Sequence, residues 1–200
     1  MGINLSTIDG YIYKIEYDSI HKLINEYFND QQSSIEVLEI GSWKGKSSLM
    51  FLQANPKVRV TAIEPFCGPP EVFKLYGVNT KEDYLHNTSL YSDRITLIEK
   101  YSTDSSLHLD LKDQQFDIFF IDGDHSYSGV INDIRLALRY TKDNGLIMID
   151  DFWINAAKNF KFRGITDAVH DLLMYKCKFL YLYRSVIVFQ KNKNFTTYEK

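Results

Sequence analysis

The stretch Asp117-Ile118-Phe119-Phe120-Ile121-Asp122-Gly123-Asp124-His125-Ser126-Tyr127 opens as a buried strand and breaks at once into carboxylates. Leu146-Ile147-Met148-Ile149-Asp150-Asp151 repeats the pattern. Short apolar runs of this kind suit strands covered on both faces. In an open α/β sheet, ligands bind at the carboxyl ends of neighbouring strands. Asp122, Asp150 and Asp151 gathered there would repel one another unless a cation or a proton sat among them. Hard oxygen ligands suit Mg²⁺ or Ca²⁺. The pattern reads as a metal site beside a reaction centre. Any one of these acids alone could instead cap a turn or helix, and it is the three together that favour the metal.

Outward from this stretch, strand-like and helix-like segments alternate. Ile12, Ile15, Ile20, Leu23, Ile24, Tyr27 and Phe28 recur near helical spacing, which predicts an amphipathic helix over 12–28. Strands are expected at 35–40, 58–63, 95–98, 116–121 and 146–149. Helices are expected at 46–53, 81–91, 104–111, 129–140 and 165–175. Asn144-Gly145 reads as a turn into its strand. Strands 179–183 and 186–189 flank Arg184-Ser185 and form a tight hairpin. Segment 65–80, with Gly68-Pro69-Pro70 and Gly77, reads as a loop or lid. The order implies a doubly wound, mostly parallel, seven-stranded Rossmann-like α/β sheet, closed by an antiparallel hairpin. One domain over 1–200 is expected: a helical segment 1–34, a core 35–190 and a polar, frayed tail 191–200.

Composition narrows the function. Two hundred residues, 44% apolar and 14% aromatic, can build one core. A formal charge of −3 argues against a nucleic-acid binder with a broad basic surface. No apolar run reaches the roughly 18–20 residues a membrane span needs. Met1-Gly2-Ile3-Asn4-Leu5-Ser6 lacks the pattern of a secretion signal. Cys67 and Cys177 stand in no metal-ligand spacing, so reduced thiols and a cytoplasmic location are expected.

The first strand runs into Glu39-Ile40-Gly41-Ser42-Trp43-Lys44-Gly45-Lys46-Ser47. Its ending imitates a phosphate loop, but that motif needs four residues between its glycines and this one has three. Gly41 lets the chain turn sharply, and Gly45 lets a cofactor lie against the backbone at a helix start. Glu39 can accept hydrogen bonds from an ammonium group, while the helix amino terminus near Gly45–Ser47 favours a carboxylate. A site that wants both describes an amino acid, such as the methionine part of S-adenosylmethionine. Glu64 ends the second strand about 20 residues past the glycine turn, where an acid grips the ribose diol of an adenosine cofactor. That feature alone also allows NAD, although the loop lacks the G-x-G-x-x-G pattern. Lys44 and Lys46 read as solvated surface charges.

Three motifs carry a family resemblance: Glu39-Ile40-Gly41…Gly45…Ser47, Ala62-Ile63-Glu64, and Ile121-Asp122-Gly123-Asp124-His125-Ser126-Tyr127 followed by Asp150-Asp151. The chain resembles the class I S-adenosylmethionine-dependent methyltransferases over roughly residues 35–190. The metal-dependent O-methyltransferases of antibiotic sugars and of catechols are the nearest in kind. The resemblance implies that Glu39, Gly41 and Ser47 hold the methionine moiety, that Ser42 and Gly45 also belong to the cofactor loop, and that Trp43 sits over the cofactor. It implies Glu64 at the ribose, Ser102 beside the adenine, and Asp122 near the methionine amine. Asp122, Asp150 and Asp151 match the ligands of Mg²⁺ or another hard divalent cation. Asp124 or His125 matches the general base.

Methyl transfer to oxygen needs a near-alkoxide in line with the sulfonium methyl. A metal lowers the pKa of a bound hydroxyl, and imidazole, with an ordinary pKa of about 6.5, suits the proton transfer near neutrality. An ionised Asp124 beside a cation would be a weak base, which favours His125. Phe152, Trp153, Phe160 and Phe162 either line an acceptor pocket or pack the lid, and Tyr127 braces the loop. The acceptor is a small-molecule or sugar hydroxyl, with no nucleic-acid or membrane partner, and a homo-oligomer is allowed. Two other functions fit part of the pattern: a non-catalytic adenosyl-nucleoside-binding scaffold, or an NAD-dependent oxidoreductase.

Overall fold

The strands are β1 (Ile35–Ile40), β2 (Val58–Ile63), β3 (Ile95–Ile98), β4 (Phe116–Ile121), β5 (Thr141–Ile149), β6 (Cys177–Tyr183) and β7 (Val186–Lys191). They form one sheet in the order β3-β2-β1-β4-β5-β7-β6. The computed structural model describes residues 3–10, 12–66, 80–152 and 160–193. Strands β1 to β5 are parallel, and β7 and β6 add antiparallel edges. The described helices are α1 (Lys14–Tyr27), α2 (Lys46–Ala54), α3 (Thr80–Thr88), α4 (Leu107–Asp110), α5 (Tyr127–Tyr140) and α6 (Phe160–Leu172).

Side chains alternate across a strand, so β4 feeds two cores. Phe116, Phe119 and Ile121 pack with α5 and α6 through Val130, Ile134, Ala137, Ile165 and Val169. Ile118 and Phe120 pack on the other face with Ile20, Ile24, Met50 and Phe51 of α1 and α2. Both faces are covered, which is why the strand reads as unbroken apolar sequence. β5 divides the same way, with Ile147 and Ile149 on one side and Leu146 and Met148 on the other.

The structure departs from the sequence expectation at several ends. β5 starts at Thr141, not at 146: the pairing shifts between Phe116 and Ile118, and Asn144 takes a φ of 62°. Asn144-Gly145 is thus an irregularity inside the strand rather than a turn before it. Helix α1 starts at Lys14, because the Tyr13 N–H donates to Glu16 Oε2 at 2.8 Å and caps it there. The helix expected over 81–91 ends at Thr88 and gives way to a 3₁₀ segment, Ser89–Arg94. Lys191, assigned to the frayed tail, is the last residue of β7; it is buried and donates to the Thr141 carbonyl at 2.6 Å.

Candidate active site

The sheet order reverses between β1 and β4, and the site forms on the carboxyl ends of these strands and β5. The Gly41 N–H donates to the Ile63 carbonyl at 3.1 Å, and the Asp122 N–H to the Ile40 carbonyl at 2.9 Å. Gly41 has a φ of 86°, and a Cβ built on it would lie 2.1 Å from the Asp122 carbonyl oxygen. Only glycine fits this turn. Gly45, at the start of α2, has its open side against Thr88 and Tyr84 of α3.

Glu39 is fully buried on β1. Its Oε2 accepts from the Ser48 hydroxyl, while Oε1 has no partner of standard geometry among the described residues. Burial pushes its carboxyl up to about 7; the Ser47, Ser48 and Ser42 hydroxyls pull it down, and Glu64 raises it further. Ser42 Oγ, buried in the same loop, also lacks a partner of standard geometry among the described residues. A half-satisfied buried carboxylate and a lone hydroxyl beside it are costly unless a donor arrives. An ammonium group is such a donor. Glu64 holds the loop in shape: Oε2 accepts the Trp43 N–H at 3.0 Å and Oε1 the Phe66 N–H at 2.8 Å. Each oxygen keeps a lone pair that a ribose hydroxyl could use.

Asp122, His125 and Asp151 come together, with one ligand atom from each lying within 4.8 Å of the others. His125 Nε2 stands 3.3 Å from Asp151 Oδ2. The Asp122 carboxyl is held well above the usual range, first by burial, then by Asp150 and Asp151, then by Glu39 and Glu64. Two carboxylates and an imidazole suit a divalent ion that accepts nitrogen as well as oxygen, Mn²⁺ among them. Asp150 is not brought into this group. Its Oδ1 accepts from the Ser185 hydroxyl at 2.8 Å and from the Asp151 N–H at 2.7 Å, and burial lifts its carboxyl to about 6.

The two base candidates separate. Asp124 accepts from the Ser126 N–H at 2.9 Å and the Ser126 hydroxyl at 2.7 Å, so it fixes the turn into α5. His125 is the one that meets Asp151. Tyr127 braces the same turn from outside, donating to Asp171 Oδ2 at 2.8 Å. Ser102 lies after β3, where its carbonyl accepts from Asn132 of α5 at 3.1 Å. Lys44 is not a solvated charge: it is buried between Asp9 at 2.8 Å and Asp83 at 3.1 Å. Lys46 likewise donates to the Gly10 carbonyl at 2.8 Å.

Three residues escaped the sequence reading. Asp133 is fully buried on α5 beside the Gly123 turn, and burial lifts its carboxyl to about 6. An acid on the apolar face that carries Val130 and Ile134 was its visible signal. Gly164 lies inside α6, and a Cβ there would be 2.6 Å from both the His125 carbonyl oxygen and the Tyr127 nitrogen. A glycine in mid-helix marks such close approach. Glu16, buried on α1, had no local signal beyond its cap. Cys67, Trp153 and most of the expected lid at 65–80 lie outside the described residues, while Phe152 packs against the core.

A model of the methyltransferase domain family matches residues 38–152, from β1 through the Asp150-Asp151 turn. The chain belongs to that family. The class I methyltransferase resemblance carried by the glycine turn and the Ile121–Tyr127 string is thus the right one. A curated relative, uncharacterized protein R132 of Acanthamoeba polyphaga mimivirus, is 31% identical over 148 residues, covering 72% of this chain. The match spans 62% of that relative's length. The methyltransferase fold is shared with an O-methyltransferase from Bacillus cereus solved in complex with SAH: TM-score 0.65, 16% identity, 93% of this chain and 85% of the other. It is shared too with the MycE methyltransferase of the mycinamycin biosynthetic pathway, solved with Mg, SAH and mycinamycin VI: TM-score 0.60, 17% identity, 96% of this chain and 53% of that one. No helix among the described residues is long and apolar enough to cross a membrane.

Proposed function

We propose that this methyltransferase moves the methyl group of S-adenosylmethionine to a hydroxyl of a small molecule or sugar, assisted by a divalent cation. One observation carries the reading. Asp122 joins the two halves of the site, because its carbonyl fills the space beside Gly41 while its carboxylate meets His125 and Asp151. The residues present fit the cofactor: Glu39 Oε1 and Ser42 Oγ await donors or acceptors, and Glu64 stands at the end of β2. That S-adenosylhomocysteine and Mg occupy the fold-mate MycE supports the same assignment.

Bound S-adenosylmethionine supplies an electrophilic methyl on a sulfonium. Asp122 and Asp151 would hold a divalent cation, which lowers the pKa of a hydroxyl bound to it. The chain does the rest. Glu39, Ser42 and Ser47 anchor the amino-acid end, Glu64 the ribose, and Ser102 flanks the adenine side. His125, oriented by Asp151, takes the proton of the acceptor hydroxyl. Asp124 is tied to Ser126 through both oxygens, so it shapes the turn. Positioning of this kind is worth roughly 7–11 kcal/mol in intramolecular models.

Calorimetry with S-adenosylhomocysteine and with NAD tests the cofactor. Binding of the former, clearly weakened in Glu64→Ala, is the expected result; binding of NAD alone would sink the reading. Binding with no transfer to any hydroxyl acceptor would favour the scaffold alternative. Mass spectrometry of co-purified small molecules identifies the acceptor class. His125→Ala should lose turnover and keep cofactor affinity. An active His125→Ala beside an inactive Asp124→Asn would move the base to Asp124.

A further inference from the structure

Ser185, at the tip of the β6–β7 hairpin, holds both neighbours of Asp151. Its hydroxyl lies 2.8 Å from Asp150 Oδ1, and its carbonyl accepts the Phe152 N–H at 2.9 Å. Asp151 between them has a φ of 54°, a left-handed conformation that a non-glycine residue keeps only where its surroundings impose it. The same Ser185 hydroxyl lies 2.7 Å from Glu16 Oε1 on α1. Glu16 is 1% exposed, Ser185 6% and Asp150 8%, so no water shares these contacts freely. Capping of α1 uses only the other Glu16 oxygen, Oε2, through the Tyr13 N–H. The Oε1 contact therefore has no part in starting the helix.

We infer that Glu16 and Ser185 are positioning residues for the metal site, fixing Asp150 and through it the backbone and aim of Asp151. The inference rests on the proposed cation at Asp122 and Asp151. Glu16 and Ser185 both fall outside residues 38–152, so the brace comes from the amino-terminal helix and the carboxyl-terminal hairpin rather than from the matched family core. Partners one layer behind a metal ligand orient it, and their loss costs metal affinity. A hydroxyl has one proton to give, so it cannot donate to both Glu16 and Asp150. The Ser185 N–H also faces Glu16 Oε1, at 3.4 Å, so a carboxylate there receives two donors, whereas an amide nitrogen would meet the N–H.

The test is Mn²⁺ binding to the intact chain, followed by electron paramagnetic resonance, with S-adenosylhomocysteine affinity and melting temperature measured alongside. Glu16→Ala and Ser185→Ala should each weaken Mn²⁺ about 10- to 100-fold. Cofactor affinity without metal should stay unchanged. Because the two act in series, the double variant should be no weaker than the worse single one. Ser185→Ala removes one oxygen and keeps the test alive if Glu16→Ala fails to fold. Normal Mn²⁺ binding in Ser185→Ala would overturn the inference and leave the proposed function standing. Absence of Mn²⁺ binding in the unmodified protein, with cofactor binding intact, would remove the cation and this inference with it.

Discussion

Glu39 shows how a single residue records what the site is built to receive. Its carboxyl is raised from 4.5 to about 7, chiefly by burial. Between those values the folded protein keeps a proton that the unfolded chain has released. The sign follows: the stability tied to this group is fully present below about pH 4.5 and is lost as pH rises through about 7. Urea unfolding at pH values on either side of that window should show stability falling with pH, and Glu39→Gln should flatten the fall. An unchanged slope in Glu39→Gln would assign the dependence to Asp122, Asp133 and Asp150, which shift in the same direction. Gly41 is the steric counterpart. A Cβ at 2.1 Å from the Asp122 carbonyl, at a φ of 86°, cannot be relieved by a side-chain rotation. Gly41→Ala should cost on the order of 3 kcal/mol and displace Asp122, seen as lower melting temperature and weaker cofactor binding.

At the scale of elements, α1 and α6 act as clamps on opposite faces. Helix α1 docks through Ile20, Leu23 and Ile24, whereas Ile15, at 63% exposed, faces solvent. Ile20→Ala or Ile24→Ala should destabilise by roughly 2–5 kcal/mol in urea unfolding, and Ile15→Ala by less than about 0.5 kcal/mol. Near-helical spacing put all three isoleucines on one list, but at about 100° per residue Ile15 falls on the side of the helix opposite Ile24, away from the sheet. Helix α6 meets the His125 turn through Gly164. Gly164→Ala should push that turn away and reduce turnover more than it reduces cofactor affinity, a split that steady-state kinetics beside calorimetry resolves. Strands β1, β2 and β4 keep the bounds read from sequence, because runs covered on both faces leave a sharp apolar edge, and the part-exposed edge strand β3 keeps its bounds as well. Helix ends were less legible, since caps and 3₁₀ turns decide them through hydrogen bonds with weak sequence signals.

For the whole molecule, site and fold are linked by mass action. A ligand at 100 times its Kd adds about 2.7 kcal/mol, so saturating S-adenosylhomocysteine should raise the melting temperature of the intact chain. Excess EDTA should abolish transfer while leaving that shift in place, and full activity in EDTA would remove the cation from the mechanism. The amino-acid sequence by itself determined the alternation of strands and helices and the candidate residues Glu39, Gly41, Glu64, Asp122 and His125 near the carboxyl ends of the strands. It did so because two-sided burial, tight turns and strand-end acids are local patterns. Only the tertiary structure decided how the acids divide. Asp151 turns toward Asp122 and His125, and Asp150 turns to Ser185, which also meets the buried Glu16. Adjacent residues at a strand end point to opposite sides, and which side holds a partner depends on a helix and a hairpin far away in the chain.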